Sequence, residues 1–271
     1  MAQRRTFVLY TFLASVLMVS GIKTAPAQID NTAYGANALL NNTSSYNSAF
    51  GANALLNNSS GNGNSAFGAN ALLNNISGSR ITAVGSSSMY SNSTGVSNVA
   101  IGVGSLDQNT VGSYNTAAGD SALYQNLSGS NNSAFGYVSL AFSTGDGNSG
   151  LGSESLALNT SGSYNVAVGD VSMFSNTIGN RNTAAGSNSL ASNVTGDDNN
   201  ASGVLSLQAN TTGSRNNAAG GYAMYSNTTS SDNNAMGYKA MFANTTGTLN
   251  NAVGNFSLVA NTSGNDNNAV G

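Results

Sequence analysis

The chain has 271 residues and a formal net charge of −3, with 7 basic and 10 acidic side chains, no cysteine and no histidine. That inventory excludes disulfides, Ser–His and Cys–His nucleophile pairs, and the usual ligands of a zinc site. After residue 27 the only basic residues are Arg80, Arg181, Arg215 and Lys239, too few and too scattered to follow a nucleic-acid backbone.

Residues 1–27 read as a secretory signal. Arg4 and Arg5 precede an apolar stretch from Thr6 to Ser20, and Ala25-Pro26-Ala27 is an A-x-A cleavage site. The apolar stretch is shorter than the ~20 residues of a spanning helix, and no later segment is apolar enough to cross a membrane. The sequence therefore predicts export, an extracellular or cell-surface location, and no membrane span once the signal is removed.

Residues 28–271 form a single domain of repeats. Fifteen glycines, from Gly35 and Gly51 to Gly254 and Gly271, recur at intervals of 17 residues, with two intervals of 16. Four residues before each stands Asn in fourteen copies, with Ile81 the exception; two residues before stands Ala in fourteen, with Gly150 the exception. Four residues after it comes Leu or Met (Leu39, Leu106, Met173, Leu207), and three further on Asn, with Ser143 the one departure. A period this short predicts a stack of one-coil units. The expected fold is all-β, a parallel β-solenoid of about fifteen 17-residue coils, ~65–70 Å long at ~4.8 Å per coil.

Each repeat position has a physical reading. Segments such as Asn115-Thr116-Ala117-Ala118-Gly119 are too short for helices and read as strands of four or five residues. They carry small or apolar residues on both faces, which suits a sheet covered on both sides. The Leu/Met column reads as the core. The N-(T/S)-(T/S)-G segment reads as a turn in which stacked Asn amides form a ladder. Both 16-residue units lose their residue at this turn, near Ser44-Ser45 and near Phe142-Ser143, where deletions are tolerated.

Asn98-Val99-Ala100-Ile101-Gly102 and Asn165-Val166-Ala167-Val168-Gly169 resemble the strand of YadA-like head repeats of trimeric autotransporter adhesins, and similar matches run through residues 31–271. The resemblance implies a left-handed parallel β-roll, a homotrimer, and a surface role in attachment to a host or matrix ligand. The unit here is longer than the usual head repeat, and long units are also similar to those of secreted tail-fibre-like proteins, whose C-terminal chaperone domain is not in this sequence. An ice- or glycan-binding solenoid is the alternative reading.

The remaining motifs weigh against catalysis. Asp120 and Asp170 share a repeat position but lie three coils apart, ~14 Å by the coil spacing, too far for a glycosidase pair. Asp197 and Asp198 read as solvated turn residues. Gly145–Gly150 spells G-x-G-x-x-G without the strand–turn–helix context that dinucleotide binding needs. N-x-(S/T) sequons at the turn, as at Asn42, Asn126 and Asn244, read as turn chemistry. The hydroxyl row Thr195, Thr212, Thr229, Thr246 could face ice or glycan but reads first as turn chemistry. The aromatics Tyr90, Tyr124, Phe174, Tyr225 and Phe242 could stack on sugars but read first as packing. The expectation is a protein that is not an enzyme, with no catalytic, cofactor-binding or metal-binding residues.

Overall fold

The computed structural model describes residues 30–271, and the signal read in residues 1–27 lies outside the described residues. Seventeen strands, numbered in chain order, are the regular elements of the described residues; none of these residues is helical. Fifteen of the strands, from β1 (Thr32–Tyr34) to β17 (Asn268–Val270), form one parallel sheet in coil order. β3 (Asn57–Asn58) and β5 (Asn74–Asn75) pair separately, also in parallel. Fifteen stacked strands enclose fourteen turns of the solenoid. Register is that of the sequence repeat: Thr116 faces Ser133, and the 16-residue units are absorbed where Thr32 faces Ser48 and Ser133 faces Ser149.

The strands of the main sheet are three residues long, shorter than their sequence suggests. The entry Asn and the exit Gly both leave the ladder, because each is committed to a corner. The central Ala, such as Ala117 or Ala184, is fully buried, while its two neighbours point outward. The sheet is therefore covered on one face only. The outer face is open in the single chain, which departs from the two-sided burial read from the sequence.

The exit glycines hold φ between +125° and +144°, a region closed to residues with a Cβ. They also stack backbone on backbone: a Cβ on Gly119 would overlap the carbonyl of Gly136. Beyond each glycine the chain turns, Ala122 N–H donating to Gly119 O at 3.4 Å, and the Leu/Met residue takes left-handed φ of +48° to +53°. Nothing in a Leu or Met announces that conformation, which costs ~1–2 kcal/mol per residue. Two gains offset it. The side chain enters the core, fully buried from Leu55 to Met241. The N–H also points along the axis, as Leu123 N donates to Ser139 O of the next coil at 3.0 Å.

Three columns of short polar side chains close the corners. In the turn column, Asn193 Nδ2 donates to Asn176 Oδ1 at 2.8 Å and to Gly196 O at 3.0 Å, and Asn210 repeats the pattern on Asn193. In the strand-entry column, Asn98 Oδ1 accepts Asn115 N–H at 2.8 Å, and Asn115 Nδ2 donates to Gly129 O at 2.8 Å. Among the described residues a third column two residues before it uses Ser, Asn or Asp in all coils but those of Val96 and Thr248: Ser113 N donates to Ser130 Oγ at 3.1 Å and Ser130 N to Asp146 Oδ1 at 2.7 Å. Backbone groups that the bends remove from the sheet thus find partners in the adjacent coil, as buried polar groups must.

Two substitutions of opposite sign test this backbone. Gly119→Ala should lower stability by at least ~2 kcal/mol through overlap and strain. Val171→Asn, at a half-exposed position with φ of +57°, should raise it by ~0.5–1 kcal/mol, because a β-branched residue is replaced by one that tolerates this φ. Thermal melts of the two variants would decide; a stabilising Gly119→Ala would contradict the stacking.

Candidate interaction surfaces

The strand face is the longest surface. One outward column, immediately before the exit glycines, carries Tyr34, Phe50, Phe67, Val84, Ile101, Phe135, Leu151, Val168 and Met236, each between 36% and 51% exposed. Phe50 and Phe67 stack in parallel with ring centroids 5.0 Å apart. The companion column is polar except at Val99 and Val166, and over the last coils it becomes an amide ladder on the outside: Asn200 to Asn217 at 2.8 Å, Asn217 to Asn234 at 2.7 Å, Asn251 to Asn268 at 2.9 Å. Pairing of an apolar with a polar column along one face was not read from the sequence, although alternate strand residues carried the signal.

The corner before the strand carries the chain's ordered charge. Arg181, Asp198, Arg215 and Asp232 occupy the same corner in four successive coils, alternating in sign. Arg181 makes a bidentate pair with Asp198 at 2.7 and 2.9 Å, and Arg215 with Asp232 at 2.7 and 2.8 Å. The hydrogen bond from Arg181 holds the Asp198 carboxyl below the usual carboxylate range, and Arg215 does the same for Asp232. Asp197, beside Asp198, accepts the Asn180 N–H at 2.7 Å. Neither aspartate is the simply solvated turn residue read from the sequence. Asp107 differs: burial pushes its carboxyl up.

The other motifs fall as follows. Asp120 and Asp170 are exposed on one column in different coils, and Asp120 accepts the Ser121 hydroxyl at 2.8 Å. Among the described residues no group of three or more His, Cys, Asp or Glu could hold a metal, and no helix is long and apolar enough to cross a membrane. Gly145–Gly150 runs from a bend into β10 (Ser149–Leu151), the reverse of a strand leading into a helix. The sequon residues Asn42, Asn126 and Asn244 are at most 3% exposed and belong to the turn column. A glycan on any of them is incompatible with the folded coil.

Thr195, Thr212, Thr229 and Thr246 do line up in the open, all exposed. The hydroxyls just before Thr212 and Thr229 are spent internally, as Thr211 Oγ1 donates to Thr228 O at 3.0 Å and Thr228 Oγ1 to Thr245 O at 3.2 Å. The aromatic column is half-buried packing: Tyr225 and Phe242 stack at 5.2 Å with planes 7° apart. Beside them Lys239 Nζ lies 5.3 to 5.7 Å from the centroids of Tyr222, Tyr238 and Phe242, a cation–π cluster.

The coil from Gly136 to Gly152 is the irregular one. It has Ser143 in the turn column, Gly150 in place of the strand Ala, and one residue fewer in the turn. Ser143 Oγ accepts Asn159 Nδ2 at 2.9 Å, but below it Asn126 Oδ1 is buried with no hydrogen-bond partner. At the same height the outer wall of the turn opens into a groove of about 620 Å³, lined by Gln108, Gln125, Leu127, Phe142, Leu158 and three threonines.

Asn176→Ala should cost ~2 kcal/mol or more, since it orphans buried groups on both neighbouring coils. Ser143→Asn should stabilise by ~1 kcal/mol by giving Asn126 Oδ1 a donor; Asn42, in the other 16-residue unit, shows that a shortened turn still admits Asn, its Oδ1 accepting Asn58 Nδ2 at 2.7 Å. Denaturant unfolding of both variants reads the difference, and a neutral Asn176→Ala would contradict the ladder. For the charged corner, lowered carboxyl pKa values give a contribution present above the unfolded value of ~3.9 and lost as pH falls below it. It is small because the pairs are exposed. The melting temperature should drop below about pH 4, and Asp198→Asn should flatten part of that drop; an unchanged profile would contradict the pairing.

Comparison with protein-family models, with curated proteins and with solved structures found no match.

Proposed function

We propose that the chain is an exported structural and adhesive repeat protein, the head or shaft of a surface fibre built from three copies. The β-solenoid repeat is the established part; export, oligomerisation and attachment are the proposal. The observation that carries it is the apolar column along the open strand face. Isolated exposed apolar side chains are ordinary, but a row of large ones in most coils, interrupted by Ala118, Ala185, Ser202 and Ala219, is the mark of a surface meant to be covered.

The dimensions support this. At ~4.8 Å per strand and a width of ~10 Å, fifteen strands present roughly 700 Å², close to the ~800 Å² per partner of a specific interface. Three such faces turned inward bury the column and leave the turns and charged corners in water. The resemblance of the strand segments to YadA-like head repeats fits the same arrangement, and the signal-like residues 1–27 fit export. Attachment would draw on many equivalent weak sites along the rod, where avidity replaces a single strong pocket.

Sedimentation equilibrium of residues 28–271 tests the assembly. A trimer is expected, and Phe50→Ser with Phe67→Ser should shift it toward monomer by exposing a polar seam. A compact monomer at micromolar concentration would contradict the reading.

A further inference from the structure

We infer that the groove over the irregular coil is a binding site for a neutral, linear polysaccharide. It lies on the turn side of the solenoid and is built within one chain, so it does not depend on the assembly proposed above.

Two departures from the repeat meet at this one place. The turn at Thr144-Gly145 is a residue short, and Ser143 breaks the inner amide ladder, which leaves Asn126 Oδ1 buried without a partner. Each lowers the regularity of the stack, and together they accompany the groove, about 620 Å³ in size. That size lies within the range of ligand sites. Elsewhere in the rod the other short unit keeps its Asn, so a deletion alone does not require the broken ladder.

The lining selects the ligand. Phe142, 40% exposed, supplies a flat apolar face, flanked by Leu127 and Leu158. Among the described residues the side-chain amides of Gln108 and Gln125 make no hydrogen bond, and they offer both donors and acceptors. Thr144, Thr160 and Thr177 donate their hydroxyl protons to carbonyls of the next coil, at 2.7, 2.9 and 2.9 Å, which leaves their oxygens able to accept. No lining residue is charged. A ligand with apolar ring faces and rim hydroxyls matches this set; a charged ligand would find no counter-ion.

Spacing separates a glycan from a peptide. The lining residues come from five successive coils, so equivalent groups repeat every ~4.8 Å along the groove. A pyranose unit in an extended chain is about as long as that step. An extended peptide advances ~3.3 Å per residue and loses phase with the coils at once.

Titration calorimetry of the intact chain would use neutral hexasaccharides of glucose, xylose and N-acetylglucosamine, with a heparin hexasaccharide and a Gly/Ser hexapeptide for comparison. At least one neutral hexasaccharide should bind saturably. Phe142→Ala should weaken it roughly tenfold with the melting temperature retained, and Gln125→Ala should weaken it by a smaller factor. A regularised coil, with Ser143→Asn and a serine inserted between Thr144 and Gly145, should be at least as stable and lose the binding. The inference is overturned if no neutral hexasaccharide binds at millimolar concentration, if the heparin fragment or the peptide binds more tightly, or if binding survives Phe142→Ala or the regularised coil. It is overturned equally if binding is lost through Tyr238→Ala with Phe242→Ala, which would move the site to the cluster around Lys239.

Discussion

Nearly every inward side chain in this rod rests on the same or a similar residue one coil away, and that constraint explains most of the chain. A residue stacked on itself must be self-complementary. Ala, Gly, Leu and Met satisfy the requirement by shape. Among polar residues Asn does so best, because one amide carries both a donor and an acceptor and can bond to an identical amide above and below. A carboxylate or an ammonium cannot, since its neighbour would be a like charge. The composition follows: charged residues make up only 6% of the chain, while Asn fills two of the three polar corner columns.

Charge enters where the repetition is broken in a matched way. Arg181, Asp198, Arg215 and Asp232 share one corner, and alternation of sign turns a column that would repel into two bidentate pairs. The same logic shows at Ser143. A smaller side chain in the amide column leaves the Asn126 oxygen without a donor, and the cost is confined to one step of the stack because each coil contacts only its neighbours. A solenoid can therefore carry a local irregularity without losing the fold, which gives it a means of building one distinctive site on an otherwise uniform surface.

Much of the fold was legible in the sequence. The glycine period gave the coil, the Leu/Met column gave the core, and the repeated Asn after it gave the turn ladder. The two short units located the turns. What could not be read was backbone conformation. Left-handed φ recurs at the corners on residues as different as Val171, Leu123, Arg181 and Lys239, so residue type carries no signal there; the axial hydrogen bonds impose it. The strand-entry Asn was visible but its partner was not, because it bonds to residues one coil away. The corner column of Ser130, Asp146 and Asp197 varied too much in identity to stand out, although all three are short acceptors. The groove was hidden for a related reason: it lies where two small departures coincide in space.

The central claim is that buried Asn amides tie each coil to the next. Hydrogen exchange of side-chain amides in Asn-labelled protein, followed by NMR, measures it directly. The Nδ2 protons of Asn109, Asn176, Asn193 and Asn210 should exchange as slowly as the backbone amides of the strands, because both open only when coils separate. Exchange of those side chains at the rate of free asparagine, with the strands still protected, would show that the ladder does not hold the rod together.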